Sequence, residues 1–261
     1  VEDFFVKIAV LLKRVPDTAS VFKIAPDGRA IVEDGLKFVM SPYDEHAVEE
    51  AIKIKEANAA DVIVVALGPE GCKEIMRTAL AMGADSGIHI AHAGEALTPR
   101  GVSHALAAVL KDLGADLILA GKQAVDDDAS QVPERVAERL GWSHVSVVTR
   151  LALGAGAVEA DREVEGGSLT LSVPLPAVVT IQKGINTPRY PTLPNIMKAK
   201  KKEIREVALD SLGLGAALAP GLAVQALSPP RSERLGKLLP GTAAEQAAAL
   251  IKILREDEKV L

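Results

Sequence analysis

Short apolar runs alternate with helical periods along the first half of the chain. Val6–Leu12 (VKIAVLL), Val62–Leu67 (VIVVAL), Gly87–Ile90 (GIHI) and Leu117–Ala120 (LILA) are β-branched or leucine-rich, and three of the four lack strict polar alternation. Such runs predict strands buried on both faces. The segments between them predict helices with readable starts. Ser41-Pro42-Tyr43-Asp44 offers an N-cap serine, proline at the first helical position and an acid at the third. That helix runs to about Glu56, with Ala47, Val48, Ala51 and Ile52 on one face. Gly71–Gly83 is a second helix closed by glycine, Thr98-Pro99 opens a third that ends at Gly114, and Gln131–Leu140 is a fourth. The alternation predicts an α/β fold, a mostly parallel sheet with helices on both faces.

After Val145 the rhythm changes. Val145–Leu151, Val158–Arg162, Ser168–Val173 and Ala177–Gln182 are strand-like, and the pair around Glu165-Gly166-Gly167 reads as a hairpin. A long loop with Gly184 and three prolines runs from Lys183 to Pro194, followed by a basic run, Lys198, Lys200, Lys201 and Lys202. Residues 207–241 are rich in Gly, Pro and Leu without a sustained period. Thr242–Glu256 closes the chain as a helix with Glu245 three residues after the capping threonine and an apolar stripe of Ala247, Leu250, Ile251 and Leu254. An extended arm ending in an amphipathic helix predicts docking on another surface; folding back onto its own domain fits the pattern equally well.

Composition narrows the class. The chain has 261 residues, 48% hydrophobic but only 3% aromatic, so its core is built from Ala, Val, Ile and Leu. One cysteine excludes an intrachain disulfide framework and a Cys-based structural zinc site. A net charge of -5 gives no footprint for wholesale nucleic-acid binding, and no apolar run reaches the length of a membrane span. The chain enters a strand pattern almost at once, so the expected location is a bacterial cytoplasm, or the mitochondrial matrix for a eukaryotic source.

In an open parallel sheet, ligands bind beyond the carboxyl ends of strands where the strand order reverses. Four segments can reach that edge: Lys13-Arg14-Val15-Pro16-Asp17, Ser41-Pro42-Tyr43-Asp44, Gly68-Pro69-Glu70-Gly71 and Gly121-Lys122-Gln123-Ala124-Val125-Asp126-Asp127-Asp128. None carries GxGxxG or a Walker A loop. In the last, a turn glycine permits close backbone approach, and the helix from Ser130-Gln131 offers N–H groups to a phosphate. Its aspartates can accept hydrogen bonds from ribose hydroxyls or adenine N6, ligate Mg²⁺, or simply cap and solvate a loop. Cys72 near a helix start reads as a packed cysteine. His46, His89, His92, His104 and His144 show no metal-ligand spacing, and no nucleophile–base motif stands out. The residues thus point to an adenine-nucleotide-binding α/β domain without evident catalytic machinery. An adenylating enzyme or a stand-alone nucleotide sensor remain the competing classes.

The sequence resembles the β subunit of electron transfer flavoprotein across nearly the whole chain. The resemblance is carried by Lys13-Arg14-Val15, Met40 to Ala51 (MSPYDEHAVEEA), Arg77 to Asp85 (RTALAMGAD), Gly121 to Asp128 (GKQAVDDD), Arg162 to Gly167 (REVEGG), Leu175 to Thr180 (LPAVVT) and Pro188 to Lys202 (PRYPTLPNIMKAKKK). It implies an adenine-nucleotide α-hydrolase-like fold and an electron-carrier subunit, not an enzyme, in a heterodimer whose α subunit holds most of the FAD. The β subunit would bury a structural AMP and dock acyl-CoA and related dehydrogenases of fatty acid β-oxidation. Electrons would pass on to a quinone oxidoreductase, with no membrane insertion and no nucleic acid involved.

By position, the resemblance places AMP contacts at Leu11, Ser41, Pro42, Tyr43, Asp44, Leu67, Gly121, Lys122, Gln123, Ala124, Val125, Asp126, Asp127, Asp128, Ala129, Ser130, Gln131 and Val132, with Tyr43 also near the flavin. No metal and no catalytic residue is implied. Partner contacts fall at Glu163 and in a recognition loop over residues 181–203, with Leu193 as apolar anchor among Tyr190, Pro194, Ile196 and Met197. Residues 1–205 would form the body and 206–261 an arm on the α subunit. Some relatives bind a second FAD in place of AMP and bifurcate electrons; the Asp126-Asp127-Asp128 form resembles the AMP type more. Thr18 stands where some members carry a flavin-directed aromatic, and Leu169 where the family has Glu or Gln. Lys198 and Lys201 match positions methylated in some animal members.

Overall fold

The computed structural model describes residues 5–94, 97–230 and 236–261. In chain order the elements are β1 Val6–Leu12, β2 Arg14–Pro16, β3 Phe38–Met40, α1 Pro42–Ala57, β4 Ala60–Gly68, α2 Cys72–Met82, β5 Ser86–Ala91, α3 Pro99–Leu113, β6 Leu117–Gly121, α4 Val132–Leu140, β7 Ser143–Leu153, β8 Ala157–Val164, β9 Gly167–Pro174, β10 Ala177–Ile181, α5 Leu193–Ala199, β11 Ile204–Ala208 and α6 Ala243–Lys252. A nine-stranded sheet has the order β11-β5-β4-β1-β6-β10-β7-β8-β9. The run from β11 to β7 is parallel, and β8 and β9 extend it antiparallel as the expected hairpin.

The α/β expectation holds, and β1 shows why its run lacks polar alternation. It pairs on both edges, Val10 with Val64 of β4 and with Leu119 of β6. Ile8, Val10 and Leu12 face a core shared with α1 and α2, while Ala9 and Leu11 face one shared with α3 and α4. With both faces and both edges covered, β1 from Ile8 to Leu12 is apolar throughout, and only Lys7 near its start carries a charge, its Nζ donating to the Leu113 carbonyl.

Three features differ from the sequence expectation. The stretch after Val207 is not all irregular: β11 is an edge strand parallel to β5, and two short 3₁₀ turns at Leu209–Leu212 and Gly215–Leu218 follow it. Leu209 is buried and Leu212, Leu214 and Leu218 pack on the α3 side of the core. β11 leaves Arg205 and Glu206 exposed on an edge, so it carries no buried-strand pattern; it also straddles the expected boundary at 205. Second, Arg14–Pro16 and Phe38–Met40 form a small antiparallel ribbon too short to leave a period. Third, Ser41 stands at the N-cap of α1, but its hydroxyl makes no capping bond.

Beyond the 3₁₀ turns, no described residue from Ala219 to Leu261 is buried. Thr242 and Glu245 form the expected capping box, yet Leu250 and Ile251 on the apolar stripe of α6 stand half exposed. Folding of this helix back onto the body is therefore not what the structure contains.

Candidate functional site: a switch-point cleft and a docking ridge

From β1 the chain builds β4 and β5 on one side and then crosses to β6 on the other, so the strand order reverses between β1 and β6. A cleft of about 840 Å³, its solvent-open mouth included, lies at the carboxyl ends of these two strands. Leu11, Leu67, Leu97, Val102 and Leu106 make its apolar wall. Of the residues placed here by the sequence, Lys13, Asp44, Gly121, Lys122, Gln123, Ala124, Asp127, Ala129, Ser130, Gln131 and Val132 also line it. Ser41, Pro42, Tyr43, Val125, Asp126 and Asp128 stand outside the lining, in the turns that carry it.

Asp44 joins the two strand ends. Its carboxylate, almost fully buried, accepts from the Lys13 N–H at 2.7 Å and the Gly121 N–H at 3.0 Å. Burial pushes this carboxyl up to about 7, against the pull of the two N–H donors and the Lys13 charge. Gly121 is required by space: a Cβ there would lie 2.6 Å from Asp44 Oδ1 and 2.6 Å from Tyr43 Cβ. The turn glycine read from the sequence thus serves close approach, not a left-handed backbone.

The acidic loop is internally satisfied. Lys13 Nζ donates to Asp126 Oδ1 at 2.8 Å and Asp127 Oδ2 at 2.9 Å. Burial disfavours the Lys13 charge, but these two carboxylates outweigh it and raise its pKa. Gln123 Nε2 donates to Asp128 Oδ1, and the Ala129 N–H to Asp127 Oδ1. Asp128 and Ser130 both hold left-handed φ, +46° and +48°, which turns the chain into α4. The start of α4 carries backbone N–H groups free of intrahelical partners at the cleft edge, one fewer than usual because Pro133 has none.

A second candidate surface is built on α1 and α5. Arg189 forks onto Glu49, donating from Nε to Oε2 and from Nη2 to Oε1 at 2.9 Å each, and its other face reaches Glu56. Asn186 Nδ2 donates to the His46 carbonyl and to Glu50 Oε2. On the far side, Arg77 donates to the carbonyls of Ala199 and Lys202, and Lys202 to those of Leu80 and Ala84. Held between these staples, α5 turns Ala199 inward and leaves Leu193 72%, Ile196 41% and Met197 55% exposed. Their i, i+3, i+4 spacing makes one apolar ridge, with Pro194 and the 94% exposed Tyr190 beside it. Glu163 lies elsewhere, exposed at the end of the β8–β9 hairpin opposite Ser168.

Cys72 is buried at the start of α2, where burial pushes its thiol up to about 11, so it is a packed and unreactive cysteine. Sequence reasoning missed Arg189, Asn186 and the α3 wall of Val102 and Leu106. Only the Thr98-Pro99 start, whose Thr98 Oγ1 caps the Gly101 N–H, hinted that α3 begins at a strand end.

Known proteins resemble this chain over most of its length. The model of the electron transfer flavoprotein domain matches residues 29–212. The chain is 41% identical over 256 residues to the electron transfer flavoprotein subunit beta of Bacillus subtilis (strain 168), covering 97% of this chain and 98% of that one. It is 46% identical over 209 residues to the subunit beta of Sus scrofa, covering 78% and 82%. To the mitochondrial subunit beta of Oryza sativa subsp. indica it is 36% identical over 259 residues, covering 98% and 100%.

Proposed function

The chain belongs to the electron transfer flavoprotein β-subunit family, and on that premise we propose that it holds AMP in the switch-point cleft and offers α5 to electron-donating dehydrogenases. It is an electron-carrier subunit that works in a heterodimer with an α subunit. The observation that carries the AMP reading is the Gly121 turn. A backbone packed against Asp44 and Tyr43, an apolar wall from Leu11 to Leu106, and N–H groups at the start of α4 together suit a nucleoside monophosphate. Lys13 balances Asp126 and Asp127, so a phosphate at that edge meets less net negative charge than the loop sequence suggests.

Few groups here suit an isoalloxazine ring, which supports an FAD held mainly by the α subunit, with Tyr43 at the shared edge. That FAD supplies the redox chemistry; this chain positions, shields and docks. Leu193 anchors acyl-CoA and related dehydrogenases, Glu163 meets the mobile part of the α subunit, and electrons leave for a quinone oxidoreductase. The arm after residue 218 covers the α subunit, which accounts for an amphipathic α6 with no buried residue. Among the described residues no helix is long and apolar enough to cross a membrane.

Co-expression with the α subunit tests the reading. The purified complex is expected to be yellow and to release FAD and AMP in equal amounts on chromatography. Two FAD and no AMP would assign the bifurcating form instead. A colourless chain indifferent to the α subunit would overturn the proposal.

A further inference from the structure

At the carboxyl ends of β4, β5 and β11, far along the sheet from Gly121, a separate group of side chains converges. His89 on β5 is wholly buried and turns its Nε2 to the Gly68 carbonyl at 2.9 Å. A carbonyl can only accept, so Nε2 carries a proton, and Nδ1 is the ring nitrogen left to ligate an ion. Nδ1 is buried without a hydrogen-bond partner and faces Glu206 Oε2 at 3.6 Å. Glu70, from the turn before α2, completes the group; its ligand atom and those of His89 and Glu206 all lie within 4.8 Å of one another. Lys73 Nζ bridges the two carboxylates, 2.9 Å from Glu70 and 2.6 Å from Glu206.

We propose that Glu70, His89 and Glu206 form a binding site for one divalent transition-metal ion, Zn²⁺ by the chemistry of its donors, in which Lys73 is the competing internal cation. The donor set is one imidazole nitrogen and two carboxylates, suited to Zn²⁺ and ill-suited to Mg²⁺ or Ca²⁺, which take oxygen ligands. The His89 Nε2–H to Gly68 bond is the outer contact that fixes the tautomer and aims the free nitrogen of a ligating histidine. Bonds of about 2.0–2.1 Å in a tetrahedral site hold ligand atoms about 3.4 Å apart. The His89–Glu206 pair already meets that spacing, and the exposed Glu70 side chain closes the rest by rotation. Lys73 shows that a cation is stable at this spot. An ion bound there displaces the ammonium and ties the edge strand β11 to β5 and to the turn before α2, independently of nucleotide in the cleft.

Titration of the full chain with Co²⁺ in metal-free buffer, followed by Zn²⁺ competition, is the test. Expected is one equivalent of Co²⁺ with the visible bands of a four- or five-coordinate ion, displaced by Zn²⁺. Glu206→Gln weakens binding about tenfold or more, and Lys73→Met tightens it about tenfold or more, each by one unit charge at contact distance from the ion. Glu206 is exposed and Lys73 half-buried, neither belonging to the core, so the fold is retained and is verified by an unchanged circular dichroism spectrum. In ¹⁵N spectra the His89 Nδ1 resonance moves on Zn²⁺ addition while Nε2 stays protonated. Unsaturable, octahedral-type Co²⁺ spectra overturn the site, as does equal affinity for parent, Glu206→Gln and Lys73→Met.

Discussion

Gly121 donates its N–H to Asp44 Oδ1 at 3.0 Å, and a Cβ on Gly121 would come within 2.6 Å of that same oxygen. The hydrogen bond and the missing side chain are one device, because the backbone of β6 can reach the carboxylate only if nothing stands between them. Gly121→Ala forces a methyl group against Asp44 and Tyr43 and costs about 1–3 kcal/mol as overpacking. Thermal melting of the variant is expected to begin several degrees lower, with weaker nucleotide retention. An unchanged melting curve removes the close approach from the account.

Asp44 sets a pH dependence. Its carboxyl rises from 3.8 to about 7 on folding, mainly through burial, so the folded chain binds this proton more tightly than the unfolded one. The stability it contributes is full below its unfolded value and is lost as pH rises through about 7. Asp44→Asn loses one of the two accepted N–H bonds at every pH and also loses that slope. Urea midpoints from about pH 5 to about pH 8 should fall more for the parent than for the variant. A constant gap between the two would show that Asp44 does not titrate in this window.

Arg189 governs how firmly the segment leading into α5 is held. Arg189→Ala leaves Glu49, 5% exposed, without its forked partner. The cost is about 1–3 kcal/mol, between that of an exposed and a buried pair, because Glu49 is buried and Arg189 a third exposed. Arg189→Lys keeps the charge but not the fork and should fall between. Protease cutting within residues 183–192 reports the loosening; equal cutting in all three proteins counts against the staple.

Leu193 stands 72% exposed, so Leu193→Ala should change stability by no more than about 0.5 kcal/mol. Reduction of the complex by a dehydrogenase should nevertheless slow, with flavin content unchanged. Equal rates for variant and parent would take Leu193 out of the anchor role.

Asp127→Asn removes one of the two carboxylates on Lys13, an exposed pair worth under about 1 kcal/mol by itself. A larger drop in heterodimer stability is expected, because a nucleotide that binds only the folded state contributes about 2.7 kcal/mol at a hundredfold excess over its Kd. Melting with and without added AMP separates the two effects. If added AMP shifts parent and variant equally, Asp127 is not a nucleotide contact.

Much of the body was legible. Val6–Leu12 and Leu117–Ala120 read as buried strands because they lie at the centre of the sheet, where each residue meets apolar neighbours on both faces. Leu193, an apolar anchor only by family resemblance, stands exposed. Ile204–Ala208 did not read as a strand: at a sheet edge its backbone pairing with β5 defines it, and its exposed side chains follow no pattern. The Ser41 cap misread has a similar cause. The local motif was present, but Asp44, its acidic third residue, is engaged across the sheet instead.

Periodicity and turn residues by themselves determined the α/β class, the helix starts at Pro42 and Pro99 and the hairpin at Gly166. These are preferences over a few neighbouring residues, and such preferences are written in neighbouring letters. The need for a glycine at residue 121 comes instead from Asp44 and Tyr43 across the sheet. Only the tertiary structure decided that Asp44 meets partners 31 and 77 positions away, that Arg189 meets Glu49 at 140, and that His89 faces Glu206. Those meetings depend on strand order and register, which bring distant segments to one edge of the sheet. No local pattern encodes them, because nothing in the residues next to each partner marks it as different from any other on its helix, strand or loop.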